Sequence, residues 1–384
     1  MASKRPALGV RTLARMLGWA TALSVCGCHD GGPAESGTDG SESSSSEDGA
    51  QPADTSSGSD VDPASTSGVG EDSENSSSTG EEVEPDEACE RDDPFPSVLE
   101  DDSGLFEEQG SIRFVARDGN VLTAYTHRST GFDPQSGPIV FIMHGAGRNA
   151  SGYLNQWRAL VEEHGALALA PEFTSELYPG SESYNLGVGV NGTPYGGDFD
   201  PEAWRDPADY THSEIEHLFE AVRAELGNAS CRYRIYGHSA GGQFVHRLLT
   251  FRPDARVARA VAANAGWYTL PSDGGGSDEM FHMPYGLQGA PPDRGRIELL
   301  FSHDLVVLLG EDDVLRDSQL RKTAEADFQG LNRFERGQFY FETAKQEADA
   351  MGLDLAWTLD TVPGVAHSNA GMTPPAAAYL FSLE

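Results

Sequence analysis

The residues best suited to chemistry lie in Gly237-His238-Ser239-Ala240-Gly241-Gly242. The spacing is G-x-S-x-G, between a strand-like run (Arg232–Tyr236) and a helical stripe (Phe244, Val245, Leu248, Leu249), which is the context of a nucleophile elbow. The reason is steric. A tight strand-to-helix turn holds the serine in strained backbone geometry and the glycines leave room for the turn. The hydroxyl then projects at a helix N-terminus, which favours developing negative charge. A serine hydroxyl needs a general base at neutral pH. Of the 11 histidines, His367 combines a loop position with the right place in the chain: Val362-Pro363-Gly364-Val365-Ala366-His367 follows the last expected strand and precedes the last helix. His238 is expected to point the wrong way from an elbow, and His144 belongs to another motif. The base in turn needs a carboxylate to orient its ring and stabilise the imidazolium. Gly310-Glu311-Asp312-Asp313, after the apolar run Leu305–Leu309, supplies one; loop register favours Asp313, with Asp312 as the alternative.

Such a nucleophile generates an oxyanion, which two aimed backbone N–H groups must hold. Ala240, the residue after the serine, is one expected donor. His144-Gly145-Ala146-Gly147-Arg148-Asn149 follows another buried strand and supplies the second, assigned to Ala146 with Gly145 as alternative. Arg148 is read as a partner in a structural salt bridge, with fixing the loop or meeting an anionic group as the alternatives. Trp267 and Tyr268 are read as lining a substrate pocket, with core packing as the competing role. No metal or cofactor is implied. Asp198-x-Asp200 lacks the rest of an EF-hand loop, which leaves a calcium-binding reading little support.

The elements that must position these groups alternate. Ser111–Arg117 and Val121–Thr126 flank Asp118-Gly119-Asn120 as a hairpin. Pro138–His144, Ala166–Ala170, Val257–Ala262, Leu305–Leu309 and Leu355–Asp360 read as further strands. Helical stripes include Leu154, Trp157, Leu160 and Val161, and also Phe334–Met351 and Pro375–Ser382. Thr211-x-x-Glu214 reads as a capping box opening a helix whose Ile215, Leu218, Phe219, Val222 and Leu226 share one face. This predicts an α/β fold, a mainly parallel sheet covered on both faces, over 104–384. Residues 172–206 and 271–296 break the alternation and are expected to form pocket walls or surface loops.

The order Ser239, Asp313, His367 and the segments HGAGRN (144–149), GHSAGG (237–242), GEDD (310–313) and PGVAH (363–367) resemble the α/β-hydrolase superfamily. Within it, the chain is similar to polyhydroxybutyrate-depolymerase and feruloyl-esterase-like hydrolases. The resemblance covers about 270 residues and is specific for the superfamily rather than for a subfamily. It implies a serine hydrolase acting on small or oligomeric carboxylic esters. A peptidase or amidase with the same triad, or a non-catalytic surface binding protein on this fold, are the competing readings.

Composition sets the surroundings. The 384 residues carry 61 Asp+Glu against 26 Lys+Arg, a formal charge of −35. That excludes a nucleic-acid binder, which needs clustered cations. Residues 1–28 hold Lys4, Arg5, Arg11 and Arg15 and no acidic residue. An apolar run, Met16–Val25, then leads to Val25-Cys26-Gly27-Cys28. This reads as a secretory signal resembling a bacterial lipobox, with Cys28 the lipidated residue, and implies an envelope lipoprotein or secreted protein that meets membrane only through its anchor. Residues 29–90 hold 18 acidic residues, no Lys or Arg, and no Leu, Ile, Met, Phe, Trp or Tyr. Residues 29–103 are therefore expected to be a disordered tether, of which 29–90 would span roughly 45 Å as a flexible coil. Residues 91–384 retain a net charge of −21, which favours a neutral ester over an anionic polymer as substrate. Cys89 and Cys231 are free to form a disulfide in an oxidising envelope or to remain separate thiols.

Overall fold

The computed structural model describes residues 95–188, 204–276, 278–290 and 294–382. The expected signal with Cys28, the part of the expected tether up to residue 94, Cys89 and Asp198-x-Asp200 lie outside the described residues. Cys231 is disulfide-bonded.

Nine strands form one sheet: β1 (Val98–Asp101), β2 (Gln109–Val115), β3 (Val121–Arg128), β4 (Ile139–Met143), β5 (Leu167–Pro171), β6 (Tyr233–His238), β7 (Val257–Ala263), β8 (Leu305–Gly310) and β9 (Thr358–Val362). Their order is β1-β2-β3-β5-β4-β6-β7-β8-β9. The first three strands join antiparallel, and β5 to β9 run parallel. The β2–β3 hairpin closes where Gly119 N donates to Ala116 O (2.9 Å) and Asn120 N to the Asp118 carboxylate (2.9 Å). β1 pairs with β2 inside the stretch expected to be tether, so the globular part begins before residue 104. It is a four-residue, mostly exposed edge strand, too short for alternation to reveal it.

Seven α-helices are described: α1 (Ala150–Glu163), α2 (Ser213–Leu226), α3 (Ala240–Phe251), α4 (Arg294–Ser302), α5 (Ala324–Gln329), α6 (Arg333–Met351) and α7 (Asn369–Leu380). Strand periodicity splits the core in two. Phe141, Leu169, Ile235 and Leu309 face one layer with side chains of α2, α3 and α6. Val140, Ile142, Ala168, Tyr236 and Leu308 face the other with α1 and α7. β4, β5 and β8 are buried throughout, as continuous apolar runs in a covered parallel sheet must be. Trp157 of α1 is fully buried, its ring 4.8 Å from that of Tyr236; truncation to Ala would cost about 3–5 kcal/mol.

The capping box at α2 is not formed. His212 occupies the cap position with no side-chain capping bond; Thr211 Oγ1 donates to Ser183 O (3.0 Å), and Glu214 accepts from Arg117 N (3.0 Å). Tertiary partners have taken both side chains, tying the start of α2 to the hairpin and to the turn before it. α6 is capped as its sequence allows: Asn332 accepts from Glu335 N (2.9 Å), and Gly352 ends it at φ +67°. Loops after β4, β6, β7, β8 and β9 all emerge at the carboxyl ends of parallel strands, where open α/β sheets form their clefts.

Candidate active site

Ser239 sits between β6 and α3 at φ +59°, ψ −117°. A non-glycine residue reaches this region only where its surroundings force it. Those surroundings are packed backbone. A Cβ on Gly237 would collide with the Gly241 carbonyl, and one on Gly241 with the Met143 carbonyl. The glycines thus let the first turn of α3 sit against the ends of β4 and β6. Gly145, on the loop after β4, lies against the serine: a Cβ placed on it would be 3.6 Å from Ser239 Cβ.

The loops after β8 and β9 bring in two further groups. His367 Nε2 is 3.0 Å from Ser239 Oγ, and His367 Nδ1 is 2.7 Å from Asp313 Oδ2. An ionised carboxylate only accepts, so Nδ1 carries the proton and Nε2 is left to accept from the serine hydroxyl. Asp313 is 1% exposed, whereas Asp312 is exposed on the surface. Asp313, not Asp312, therefore meets the imidazole. A hydroxyl, an imidazole and a buried carboxylate in one hydrogen-bonded line can generate an oxygen nucleophile at neutral pH.

Backbone bonds lock the two loops together. Glu311 N donates to Val362 O (3.1 Å) and Asp312 N to Val365 O (3.0 Å). Buried Asn264, at φ +45°, accepts from Gly310 N (2.7 Å) and donates to Ala366 O (3.3 Å). It bridges the loop of the acid to the loop of the base. Behind the acid stands Arg333, 3% exposed, with Nη1 3.5 Å from Asp313 Oδ1 and 2.8 Å from Asp317 Oδ2. The Arg333 hydrogen bond is the main cause that draws the Asp317 carboxyl down to about 2.

Of the expected oxyanion donors, Ala240 follows Ser239 directly and Ala146 follows Gly145, which lies against Ser239. Ala240 opens α3, so its N–H belongs to the first turn, which lacks intrahelical acceptors. Ala146 is exposed on the loop that passes Ser239 at Gly145. That loop is held by Arg148 N to Gly145 O (3.1 Å), by Tyr184 OH to His144 O (2.8 Å), and by His144. His144 Nδ1 contacts Gly145 O (3.0 Å), and its Nε2 accepts from Phe173 N (3.1 Å). Burial holds His144 down at about 4, so it stays neutral, as an accepting ring nitrogen requires.

Three expectations need correction. Among the described residues Arg148 forms no salt bridge: it fixes the loop by donating to the carbonyls of Phe173, Tyr178 (3.0 Å) and Gly180 (2.7 Å), and it stacks 4.3 Å over Tyr184. Tyr268 does not line a pocket; it is fully buried and stacked on Tyr340 at 4.4 Å. Trp267 is 3% exposed, between the Arg247 guanidinium (4.0 Å) and the Tyr285 ring (4.8 Å). Aromatic faces in both cases found better partners in the core than in a cleft. His238 is not directed away from the site either. Its ring lies 4.6 Å from that of His367, with Nδ1 3.3 Å from Tyr153 OH. Burial, then the neighbouring His367 and Arg333, pushes His238 well below the ordinary imidazole range. Asn264, Tyr153, Arg333 and Asp317 carried no sequence signal, because each acts only through a partner remote in the chain.

Two solved structures are similar over most of their length. Poly(aspartic acid) hydrolase-1 from Sphingomonas sp. KT-1 is 36% identical, over 71% of this chain and 98% of that one, with a TM-score of 0.65. A poly(3-hydroxybutyrate) depolymerase from Bordetella parapertussis is 30% identical, over 70% and 88%, with a TM-score of 0.63. No protein-family model and no curated protein matches the chain.

Proposed function

This chain belongs to the α/β-hydrolase superfamily and its relatives are hydrolases, and from that premise we propose a serine hydrolase that cleaves carboxylic esters through Ser239, His367 and Asp313. The carrying observation is the unbroken line Asp313 Oδ2–His367 Nδ1 and His367 Nε2–Ser239 Oγ, at 2.7 and 3.0 Å, ending on a serine at φ +59°. Ser239 Oγ attacks the acyl carbon while His367 Nε2 takes its proton. The carbonyl π electrons move to oxygen, and the N–H groups of Ala240 and Ala146 hold the oxyanion. Collapse breaks the acyl–alkoxy bond, and the leaving alkoxide takes the proton from His367. Water, deprotonated by His367, then attacks the acyl carbon of the acyl-enzyme; collapse breaks the Ser239 Oγ–acyl bond, and His367 returns the proton to Ser239 Oγ as the acid leaves. Asp313 keeps the ring in the productive tautomer and balances the imidazolium.

A fluorophosphonate probe and a chain-length series of nitrophenyl esters test this reading, beside feruloyl esters and hydroxybutyrate oligomers. Folded wild type is expected to label and turn over, and Ser239→Ala to do neither. A wild type that does not label would instead favour a non-catalytic binding protein. On fractionated cells the same probe reads the tether: labelled protein belongs in the membrane fraction and moves to the soluble one in Cys28→Ser. Amide cleavage is the second reading, favoured by the relative named a poly(aspartic acid) hydrolase. The net charge of −21 beyond residue 90 opposes a polyanionic substrate, and turnover of poly(aspartate) in preference to every ester would establish the amide reading.

A further inference from the structure

We propose that Arg333, clamped by Asp317, is a positioning residue for the triad: it fixes the outer oxygen of Asp313 and offsets part of the negative charge that His367 meets. The inference rests on reading Ser239, His367 and Asp313 as a triad. Asp313 uses its two oxygens differently. Oδ2 faces His367 Nδ1 at 2.7 Å, and Oδ1 faces Arg333 Nη1 at 3.5 Å. The guanidinium is not free to turn away. Asp317 grips it at both ends, Nη1 to Oδ2 at 2.8 Å and Nη2 to Oδ1 at 3.2 Å. The backbone repeats the link, since Phe334 N donates to Asp313 O (3.4 Å). The start of α6 thus meets both the side chain and the main chain of the acid.

Burial makes this more than a structural ion pair. The Asp317 side chain is 38% exposed, and a pair with it could have formed at the surface. Arg333 is instead 3% exposed, and a buried guanidinium carries a desolvation penalty that only close anionic partners offset. The buried position sets the cation against Asp313.

Other charged or titratable groups around the acid have their own engagements. Arg336, one turn along α6, donates to the carbonyls of Gly266, Gly330 and Arg321 and to Asp327. Arg316 pairs with Asp327. Glu311 accepts from Thr361 (2.8 Å), and Asp312 is exposed. From β6 and the loop after β7, His238 and Tyr268 are buried; burial keeps the first uncharged and raises the second. Among the described residues Arg333 is the one cation in an ion pair with Asp313 other than His367 itself.

The sign follows from charge. Removing Arg333 takes a cation from beside the Asp313–His367 pair, so the acid limb of kcat/KM should move to higher pH; neutralising Asp317 takes an anion away, so the limb should move to lower pH. The experiment compares full-length wild type, Arg333→Met, Arg333→Lys and Asp317→Asn on one nitrophenyl ester, with thermal unfolding as the fold control. Arg333→Met should lower kcat at least about 10-fold with little change in KM, and move the acid limb up by roughly 0.5–1 pH unit. Arg333→Lys should restore much of the limb position, and Asp317→Asn should move it down. A folded Arg333→Met with the wild-type limb, or two limbs moving the same way, would overturn the proposal. If Arg333→Met does not fold, Asp317→Asn decides: a lowered limb supports the proposal and an unmoved one overturns it. Absence of Ser239-dependent turnover in wild type would fell the triad reading, and this inference with it. Turnover with unmoved limbs fells the inference alone.

Discussion

At the scale of single residues, the choice between two adjacent carboxylates shows how burial assigns a role. Asp313 and Asp312 share chemistry and loop, and register alone separates them in the sequence. In the structure, only Asp313 is buried with an oxygen 2.7 Å from His367 Nδ1. Asp313→Asn should therefore be severe although it keeps shape. An amide nitrogen facing Nδ1 favours the tautomer protonated at Nε2, which cannot accept the serine proton. We expect kcat to fall by about 10³–10⁴, with fluorophosphonate labelling slowed in parallel. Asp312→Asn should stay within about threefold, since an exposed side chain away from the ring changes little. Steady-state rates on one ester compare the two; equal losses would refute the assignment. Ser239 and His367 were legible because an elbow is a local pattern and chain order narrows the base. His238 was misread because its contact with His367 spans 129 positions of chain and depends on how two loops meet.

Between elements, the relation of the acid and base loops depends on a residue that does no chemistry. Asn264 follows β7 in the left-handed region, which Asn enters more readily than most residues. Its side chain then reaches Gly310 N on one side and Ala366 O on the other. Asn264→Ala would leave both groups without that partner and strain the backbone, costing about 1–3 kcal/mol for the bonds. More telling is the effect on geometry. A loosened Asp313–His367 register of even 1 Å should lower kcat about 10–100-fold while KM changes little. Rates with thermal unfolding test this; loss of stability with undiminished kcat would show that Asn264 serves the fold alone. Nothing in the sequence marked it, because an Asn after a strand is an ordinary turn residue. The long amphipathic helices and buried strands were legible from period and apolar content. The six-residue α5 and the four-residue β1 were not, since so few residues display no period.

For the molecule as a whole, alternation of strand and helix foretold the sheet, but not how many histidines it would bury uncharged. Burial is the first cause lowering His144 to about 4 and His212 to about 3, and it takes His238 and His246 well below their usual range. His144 lies on the loop after β4, His212 at the start of α2, His238 at the end of β6 and His246 in α3. In the unfolded chain they would titrate near 6.5. Between that value and about 4 the unfolded state binds protons that the folded state refuses, so stability is full above 6.5 and declines as pH falls. Each histidine contributes up to about 1.4 kcal/mol per pH unit. His144 and His212 together would remove about 5 kcal/mol by roughly pH 4.5, which is comparable with a typical total of 5–15 kcal/mol. The carboxylate of Asp317, held at about 2, adds a loss in the same direction only below its ordinary value of 3.8. The unfolding midpoint should therefore fall steeply from about pH 6.5 to pH 5, before carboxylates contribute. His212→Gln, which keeps a polar group but cannot titrate, should make that decline shallower. A midpoint flat over this range, or a slope unchanged in His212→Gln, would mean that the buried rings take up protons without opposing the fold.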